Sequence, residues 1–301
     1  MFESCTEVAR QRSPEWFAAR KSGIGASECA TACGTSEYRT ALALYREKVG
    51  LDEPAEQSEY MRNGLYFENT ILRIFRHETG VTLRPRRPPM LRSIQFPWMF
   101  CSPDGVTKDG DLVDAKMTTW RMADKWGEPG SDEVPKDILY QMHHQLVVTG
   151  RDRVWIPRLV DGQKFACFKV ERNERLNSLI IDSEREFWRR VEQEDPPEPD
   201  WTHSTTPSLI RGMFGITSGK AHQFSPDAIE WQTEYERWSK VEAGAAAMCD
   251  ILRARQLKEM GEAEIGLLGD GYCIRRQEQT IKEHTVAEFK KIDVRKVKVP
   301  K

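Results

Sequence analysis

The sequence predicts an α/β fold, a mixed β-sheet flanked by helices, followed by a mainly helical C-terminal extension. Short apolar runs bounded by turn residues indicate strands. Longer segments with apolar residues every three or four positions indicate helices. A proline-rich, acidic stretch at residues 195–200 then marks the end of the first domain, which we predict over residues 1–200.

The elements of this first domain follow from those patterns. A helix is predicted through residues 60–75, because Leu65, Ile71, Leu72 and Phe75 suit one buried face. The other predicted elements are strands at 81–83, 94–101 and 112–117, a helix at 139–149, strands at 153–160 and 165–170, and a helix at 173–192.

The C-terminal part is predicted as a linker over residues 201–224 and an extension over 225–301. A helix begins at Ser225-Pro226-Asp227, with the proline near its first turn, and ends at Gly261. A small β-hairpin over 272–286 and a basic tail follow. The sequence leaves two roles open for this extension. Its helix could pack against the protein's own core, or it could form a docking surface.

Two short segments carry the main functional signal. Asp104 ends one strand, and Asp114 and Lys116 lie on the next, with an Asp-Gly turn at 109–110 between them. Such a turn favours a hairpin, which would bring Asp104 close to Asp114. Because side chains alternate along a strand, Asp114 and Lys116 share one face. The segments therefore predict two carboxylates and an ammonium group in one place.

This combination suits the hydrolysis of a phosphodiester. Carboxylates hold Mg²⁺ or Mn²⁺, which activates a water and polarises the phosphate. A lysine beside the ion can orient the water or stabilise the transition state. In a chain with 31% charged residues, a hairpin with a solvated charged face is the alternative.

Two helices add candidates. Glu68 lies away from the apolar stripe of its helix and could project toward a metal. In the helix at 139–149, Gln141 and Gln145 are one turn apart, with His143 and His144 between them. No His-x₃-His or Cys-x₂-Cys spacing accompanies these histidines, so the sequence gives no support for zinc.

Several motifs in order resemble the lambda-exonuclease/YqaJ-type viral recombinase family of PD-(D/E)xK nucleases. The resemblance runs from about Pro14 to about Trp188 and implies a restriction-endonuclease-like core. The motifs are PEWFAAR at 14–20 with GIGASE at 23–28, G-x₃-EN at 64–69, SPDG at 102–105, DAK at 114–116, and the glutamine-containing helix ending in VTG at 148–150.

The resemblance implies a role for each matching residue at the metal centre. Asp104 and Asp114 would be direct metal ligands, with the backbone carbonyl of Ala115 as a further one. Lys116 would contact the attacking water or the phosphate, and Glu68 would bind or position a second ion. The implied cofactor is Mg²⁺ or Mn²⁺, with two ions.

The resemblance also implies residues outside the metal centre. Arg20 and Ser27 match positions that hold the 5′-phosphate of a DNA end; a surface ion pair for Arg20 and a helix N-cap for Ser27 are the alternatives. On the glutamine helix, His143 stands where relatives have a second glutamine. Gln141 and His143 are therefore both candidate catalytic residues.

The implied activity is a metal-dependent 5′→3′ double-strand DNA exonuclease of phage or prophage origin, which leaves 3′ single-stranded tails. Double-stranded DNA ends, a single-strand annealing protein and a homotrimeric ring are the implied partners. A related endonuclease or repair nuclease, or a catalytically inactive DNA-end-binding scaffold, are the alternatives.

Composition bounds these expectations. The net charge of −2 requires any DNA-binding surface to be local, and the basic residues that cluster are Arg84, Arg86, Arg87, Arg92 and the lysine-rich tail. Seven scattered cysteines fit a reducing cytoplasm, and too few follow the nuclease core for an iron–sulfur cluster. With a mean hydropathy of −0.63 and no long apolar run, we expect a cytoplasmic protein without a membrane segment or signal peptide.

Overall fold

The computed structural model describes residues 2–54, 58–214, 221–268 and 273–275, and the chain divides into two compact units, Met1–Met213 and Phe214–Lys301. The strands of the first unit are β1 (Cys5–Ala9), β2 (Ile24–Gly25), β3 (Met90–Ser93), β4 (Met99–Cys101), β5 (Gly105–Val106), β6 (Leu112–Val113), β7 (Lys116–Thr118), β8 (Arg153–Val160) and β9 (Lys164–Glu171). Its helices are α1 (Pro14–Arg20), α2 (Cys29–Ala32), α3 (Ala41–Lys48), α4 (Glu59–Thr79), α5 (Trp120–Ala123), α6 (Lys136–Thr149), α7 (Glu174–Glu192) and α8 (Thr206–Met213).

The strands form two mixed sheets. The first has the order β1-β3-β4-β2, in which β2 runs parallel to β4 and the other pairs are antiparallel. In the second, β6 and β7 both run parallel to β8, while β5 pairs with β6 and β9 pairs with β8 in antiparallel fashion. These mixed sheets with flanking helices confirm the predicted α/β fold class.

Helix α6 lies at the centre of the first unit. Tyr140, Val147 and Val148 pack into one core cluster with β3 and β4. Met142 and Leu146 pack into another, with β8 and β9. Because apolar residues are needed on two sides, the helix is buried over most of its length. Its polar side chains must therefore find partners inside the protein.

The predicted hairpin is present, and its second strand is broken. Strands β5 and β6 pair across a turn in which Gly110 has φ of +100°, a conformation that favours glycine. The strand stops after Val113 and resumes at Lys116, although both halves follow β8. The backbone N–H of Asp114 donates to Trp155 O at 3.0 Å across the break. Asp114 thus sits at an interruption inside a sheet, held by its neighbour strand.

Two predicted strands differ from the structure. The segment 81–83 contributes only an isolated bridge from Leu83 to Thr107, and the strand β3 follows the prolines instead. The predicted strand 94–101 is shortened to β4, because Phe96 N–H donates to Ser93 Oγ and Met99 N–H donates to Phe96 O, which makes a turn between β3 and β4. The side-chain cap explains why an apolar run turns rather than extends.

The first unit extends past the proline-rich stretch. Helix α8 lies within the predicted linker 201–224, and Leu209, Ile210 and Met213 pack against the core cluster that contains Leu42 and Phe187. The predicted domain boundaries remain a prediction.

The second unit contains a long helix, α9 (Asp227–Met260), and the strands β10 (Ile265–Leu267) and β11 (Cys273–Arg275). The strands pair in antiparallel fashion, so a hairpin lies earlier than the predicted 272–286. Residues 276–301, with the basic tail, lie outside the described residues. None of the helices in the described part of the chain is long and apolar enough to cross a membrane.

Candidate active site

A cleft of about 500 Å³ opens between α1, α4 and the broken strand. It contains every predicted site residue except His143. The predicted residues that line it are Arg20, Ser27, Glu68, Asp104, Asp114, Ala115, Lys116 and Gln141. Residues from five separate segments of the sequence are therefore brought to one cleft.

Asp104 is held by backbone and side-chain donors. Its backbone N–H donates to Val113 O, which closes the hairpin next to the cleft. The N–H of Ala115 donates to Asp104 Oδ2 at 2.8 Å, and Arg87 Nη2 donates to Oδ1 at 2.6 Å. The break after Val113 frees the Ala115 N–H for this contact. The interruption of the strand and the position of Asp104 are thus linked.

Asp114 is buried and bound by side chains from its own strand and from α6. Lys116 Nζ lies 2.5 Å from Asp114 Oδ1, so the two share one face as alternation predicts. Gln145 Nε2 donates to Oδ2 at 2.6 Å, and Gln141 Nε2 donates to the same oxygen at 3.2 Å. Gln141 also accepts from Lys116 Nζ at 3.0 Å. These contacts fix the carboxylate and the ammonium group relative to each other.

Glu68 is joined to Asp104 by an arginine. Arg87 Nη1 donates to Glu68 Oε2 at 2.8 Å, and its other terminal nitrogen bonds Asp104. Arg12 donates to both oxygens of Glu68, at 2.9 and 2.8 Å. Arg12 has φ of +65°, which is uncommon outside glycine and concentrates at functional sites. Two guanidinium groups therefore compensate the helix carboxylate.

The electrostatics of the cleft fit a divalent cation. Burial, and then the neighbouring Asp114 and Glu68 carboxylates, raise the pKa of Asp104 to about 7, although Arg87 and Lys116 act in the opposite direction. The cleft therefore carries more negative charge than Arg87 and Lys116 neutralise. Carboxylate oxygens are the ligands that Mg²⁺ and Mn²⁺ prefer. Asp104 and Asp114 fit such an ion.

Arg20 is held at the cleft by a buried network. Its guanidinium donates to Glu28 Oε1 at 2.6 Å and stacks on the Trp16 ring at 5.0 Å. Burial opposes ionisation of Glu28, but Arg20 and Lys48 together lower its pKa to about 2. The arginine is therefore fixed, yet its side chain remains 30% exposed. It can bind an anion in the cleft without rearranging.

Ser27 does not cap a helix. It lies within a short 3-10 helix, Ala26–Glu28, whose N-cap is Gly25, and the following helix α2 is capped by Glu28. The alternative of an N-cap role is therefore wrong. The exposed residue lines the same cleft as Arg20.

His143 points away from the cleft. It is 2% exposed, and its Nδ1 lies 2.9 Å from Asn177 Oδ1 on α7. Burial lowers the pKa of His143, and the hydrogen bond that its Nδ1 donates to Asn177 Oδ1 acts in the opposite direction. Gln145, and not His143, is the residue of α6 that contacts Asp114 together with Gln141. Residues four apart share a helix face, whereas residues two apart do not. The spacing of the two glutamines in the sequence therefore indicates that they act on the same group.

Comparison with known proteins agrees with this arrangement. Residues 15–152 match the family model described as the YqaJ-like viral recombinase domain. The resemblance predicted from the motifs is thereby confirmed.

Known relatives extend over more of the chain. The Bacillus subtilis (strain 168) protein YqaJ is 25% identical over 266 residues, which are 85% of this chain and 81% of that protein. The crystal structure of an alkaline exonuclease (LHK-Exo) from Laribacter hongkongensis gives a TM-score of 0.52 at 23% identity, covering 66% of this chain and 97% of that one. LHK-Exo in complex with dAMP gives 0.50 at 22% identity, with 65% and 100% coverage. These structures confirm the predicted fold class.

The raised pKa of Asp104 predicts a pH-dependent stability in metal-free buffer. A carboxyl whose pKa is higher in the folded state binds more protons when folded, so it contributes stability at low pH that is lost as the pH rises. The window runs from the ordinary value of 3.8 to about 7. Asp104→Asn removes the charge, so its stability relative to wild type should increase between pH 4 and pH 8, by about 1–4 kcal/mol.

Urea unfolding in the presence of a chelator, at several pH values, measures this difference. Asp109→Asn, on the exposed turn of the same hairpin, is the matched control and should track the wild type. A stability difference for Asp104→Asn that does not change with pH would contradict the raised pKa.

Proposed function

We propose that this protein is a metal-dependent 5′→3′ exonuclease that acts on double-stranded DNA ends. The observation that carries the proposal is the shared cleft, in which Asp104, Asp114 and Lys116 lie together with Arg20. The first three residues suit phosphodiester hydrolysis, and the fourth suits a terminal phosphate. The match of residues 15–152 to the YqaJ-like viral recombinase domain and the similarity in fold to an alkaline exonuclease support the proposal.

The residues of the cleft divide the chemistry among them. Asp104 and Asp114, with the carbonyl of Ala115, would hold the first Mg²⁺ or Mn²⁺, and Glu68 would hold a second. When bound, the ions would supply an activated water and stabilise charge on the phosphate. Lys116, fixed by Gln141 and Asp114, orients the water and donates to the phosphate oxygens.

Gln141 and Gln145 have a positioning role in this proposal. Both donate to one oxygen of Asp114, so the other oxygen faces Lys116 and the cleft. Because an amide carries no charge, it orients the carboxylate without neutralising it. His143 has no part in the reaction, because its ring is buried against Asn177.

The proposed polarity rests on Arg20. A guanidinium already held by Glu28 and Trp16 can bind the terminal 5′-phosphate with little ordering cost. Ser27 adds a hydroxyl beside it. A larger open groove, of about 1090 Å³, adjoins the cleft and is lined by Arg10, Arg12, Arg86 and Arg87, which suits the phosphates of a DNA strand.

The remaining elements of the proposal follow from the activity. Resection from 5′ ends leaves 3′ single-stranded tails, for which a single-strand annealing protein is the fitting partner. A homotrimeric ring around duplex DNA would keep the enzyme on its substrate. We place it in the cytoplasm of a bacterial host, encoded by a phage or prophage.

Linear duplexes with 5′-phosphate or 5′-hydroxyl ends, and a covalently closed circle, test the proposal with and without Mg²⁺. We expect metal-dependent loss of the linear substrates only, fastest from the phosphorylated end. Arg20→Ala should reduce the preference for 5′-phosphate about tenfold or more, because a charge-assisted contact is worth about 1.5–3 kcal/mol.

Lys21→Ala, which alters the exposed neighbour of Arg20, is the matched control for that variant and should keep the preference. Cutting of the closed circle would favour an endonuclease over the proposed enzyme. Absence of any metal-dependent loss of DNA would favour a binding scaffold. An unchanged preference in Arg20→Ala would remove that residue from the end-binding site.

Lys116→Ala should severely reduce cleavage while DNA binding persists. The ammonium group stabilises charge that develops in the transition state, so we expect a fall of about 10²–10³ in kcat with a small change in Kd. Single-turnover cleavage and fluorescence anisotropy measure the two quantities. Lys108→Ala, in the exposed turn of the hairpin, should leave both unchanged. Wild-type turnover in Lys116→Ala would disprove the assignment.

Arg87→Met should increase the affinity for divalent ions. Arg87 occupies oxygens of Glu68 and Asp104 that the ions require, and its half-exposed ion pairs must break when they bind. Removing this competition should tighten Mn²⁺ binding by about three- to tenfold. Isothermal titration calorimetry measures the change, and Arg86→Met, at the exposed neighbour, is the control. Unchanged or weaker binding would show that Arg87 does not compete.

A further inference from the structure

A second cluster of metal-ligating groups lies on the other side of α6 from Asp114. Cys29 on α2, His144 on α6 and Glu184 on α7 place one ligand atom each within 4.8 Å of the others. All three residues are fully buried. Their donor types are a thiol, an imidazole and a carboxylate, which differ from the all-oxygen set of the cleft.

The hydrogen bonds of His144 prepare one ring nitrogen for a cation. Its Nε2 lies 2.9 Å from Phe100 O, a carbonyl that can only accept, so Nε2 carries a hydrogen. Its Nδ1 lies 2.7 Å from Glu184 Oε1. In the neutral ring, Nδ1 therefore carries a lone pair that is directed at a carboxylate oxygen. A ring N–H bound to a backbone carbonyl is also the usual outer contact of a metal-ligating histidine.

The buried carboxyl group of Glu184 needs a compensating partner. The carboxylate of Glu184 is buried completely, and its Oε2 has no hydrogen-bond partner. An uncompensated buried carboxylate is strongly unfavourable. Either a proton between His144 and Glu184 or a metal ion between the three groups can compensate it. A metal ion would use the second carboxylate oxygen and the thiol of Cys29 as well.

A fourth ligand is available next to the cluster. Cys33 follows Cys29 by four residues at the C-cap of α2, and burial, followed by the neighbouring Cys33, raises the pKa of the Cys29 thiol. The side chains therefore lie on one face of the helix turn. With Cys33, the three clustered residues would supply the four ligands that a borderline-soft divalent metal takes in a tetrahedral site.

We propose that Cys29, Cys33, His144 and Glu184 form a structural zinc site that ties α2, α6 and α7 together. Thiolate and imidazole ligands select Zn²⁺ over the Mg²⁺ of the cleft. The site shares no side chain with the proposed active site. It therefore does not rest on the proposed function, and each can fail without the other.

Metal content of the full-length protein tests the site. After expression with zinc and dialysis against metal-free buffer, elemental analysis should find about one zinc per chain. Cys29→Ala and Cys33→Ser should each lose most of it. Cys167→Ala, which alters a half-buried cysteine on β9 outside the cluster, should retain it. Asp104→Asn, which alters the cleft, should retain it as well.

Cobalt substitution tests the ligands independently of folding yield. Co²⁺ added to the metal-free protein should give thiolate-to-cobalt charge-transfer absorption, which weakens in Cys33→Ser and disappears in the double variant Cys29→Ala/Cys33→Ser. Zinc should also raise the Tm of the wild type, but not that of Glu184→Gln to the same extent. Protein that binds no zinc and shows no thiolate–cobalt band would overturn the proposal and leave a proton between His144 and Glu184 as the compensating group.

Discussion

Burial of α6 between two core clusters is the constraint on which the first unit depends. A helix with apolar contacts on two sides has no face left for solvent, so each polar side chain it carries needs an internal partner. Gln141 and Gln145 find theirs in Asp114, and His144 finds its partners in Glu184 and Phe100 O. The same burial that stabilises the core thus holds the candidate catalytic carboxylate.

The broken strand is the second structural requirement of the cleft. A continuous strand would direct the N–H of Ala115 into the sheet, whereas the break lets it donate to Asp104. Asp114 remains attached to β8 through its own N–H, so the interruption does not loosen the sheet. Backbone contacts therefore fix the carboxylate of Asp104 and the main chain of Asp114, which gives more precise positions than flexible side chains alone would.

Much of the cleft could be predicted from the sequence, because the informative signals were local. The Asp-Gly turn and the alternation at Asp114 and Lys116 are short-range properties of a hairpin, and both are present. The prediction of a strand at 81–83 was wrong, because the prolines that follow this segment make it hard to tell from the sequence where strand pairing begins. Gln145 could have been chosen over His143 from helical spacing alone.

Contacts between distant segments could not be predicted in this way. Arg12 and Arg87 meet at Glu68, although 75 residues separate them in the sequence. Cys29, His144 and Glu184 come from three helices, and no ligand spacing in the sequence links them. Such groups depend on how helices pack, which periodicity does not encode. A single sequence indicates which residues can do chemistry more readily than which of them will meet.

The two clusters illustrate how one helix can serve two different cations. On the side of Asp114, all donors are oxygens, and Arg87 and Lys116 already occupy part of the carboxylate surface, so a bound ion must be exchangeable and hard. On the side of His144, the three clustered donors are buried completely and include a thiol, so a bound ion would exchange slowly and be borderline-soft. Solvent access and ligand type together would keep the two ions apart. Helix α6 would then separate the proposed catalytic metal centre at Asp114 from the proposed structural zinc site at His144.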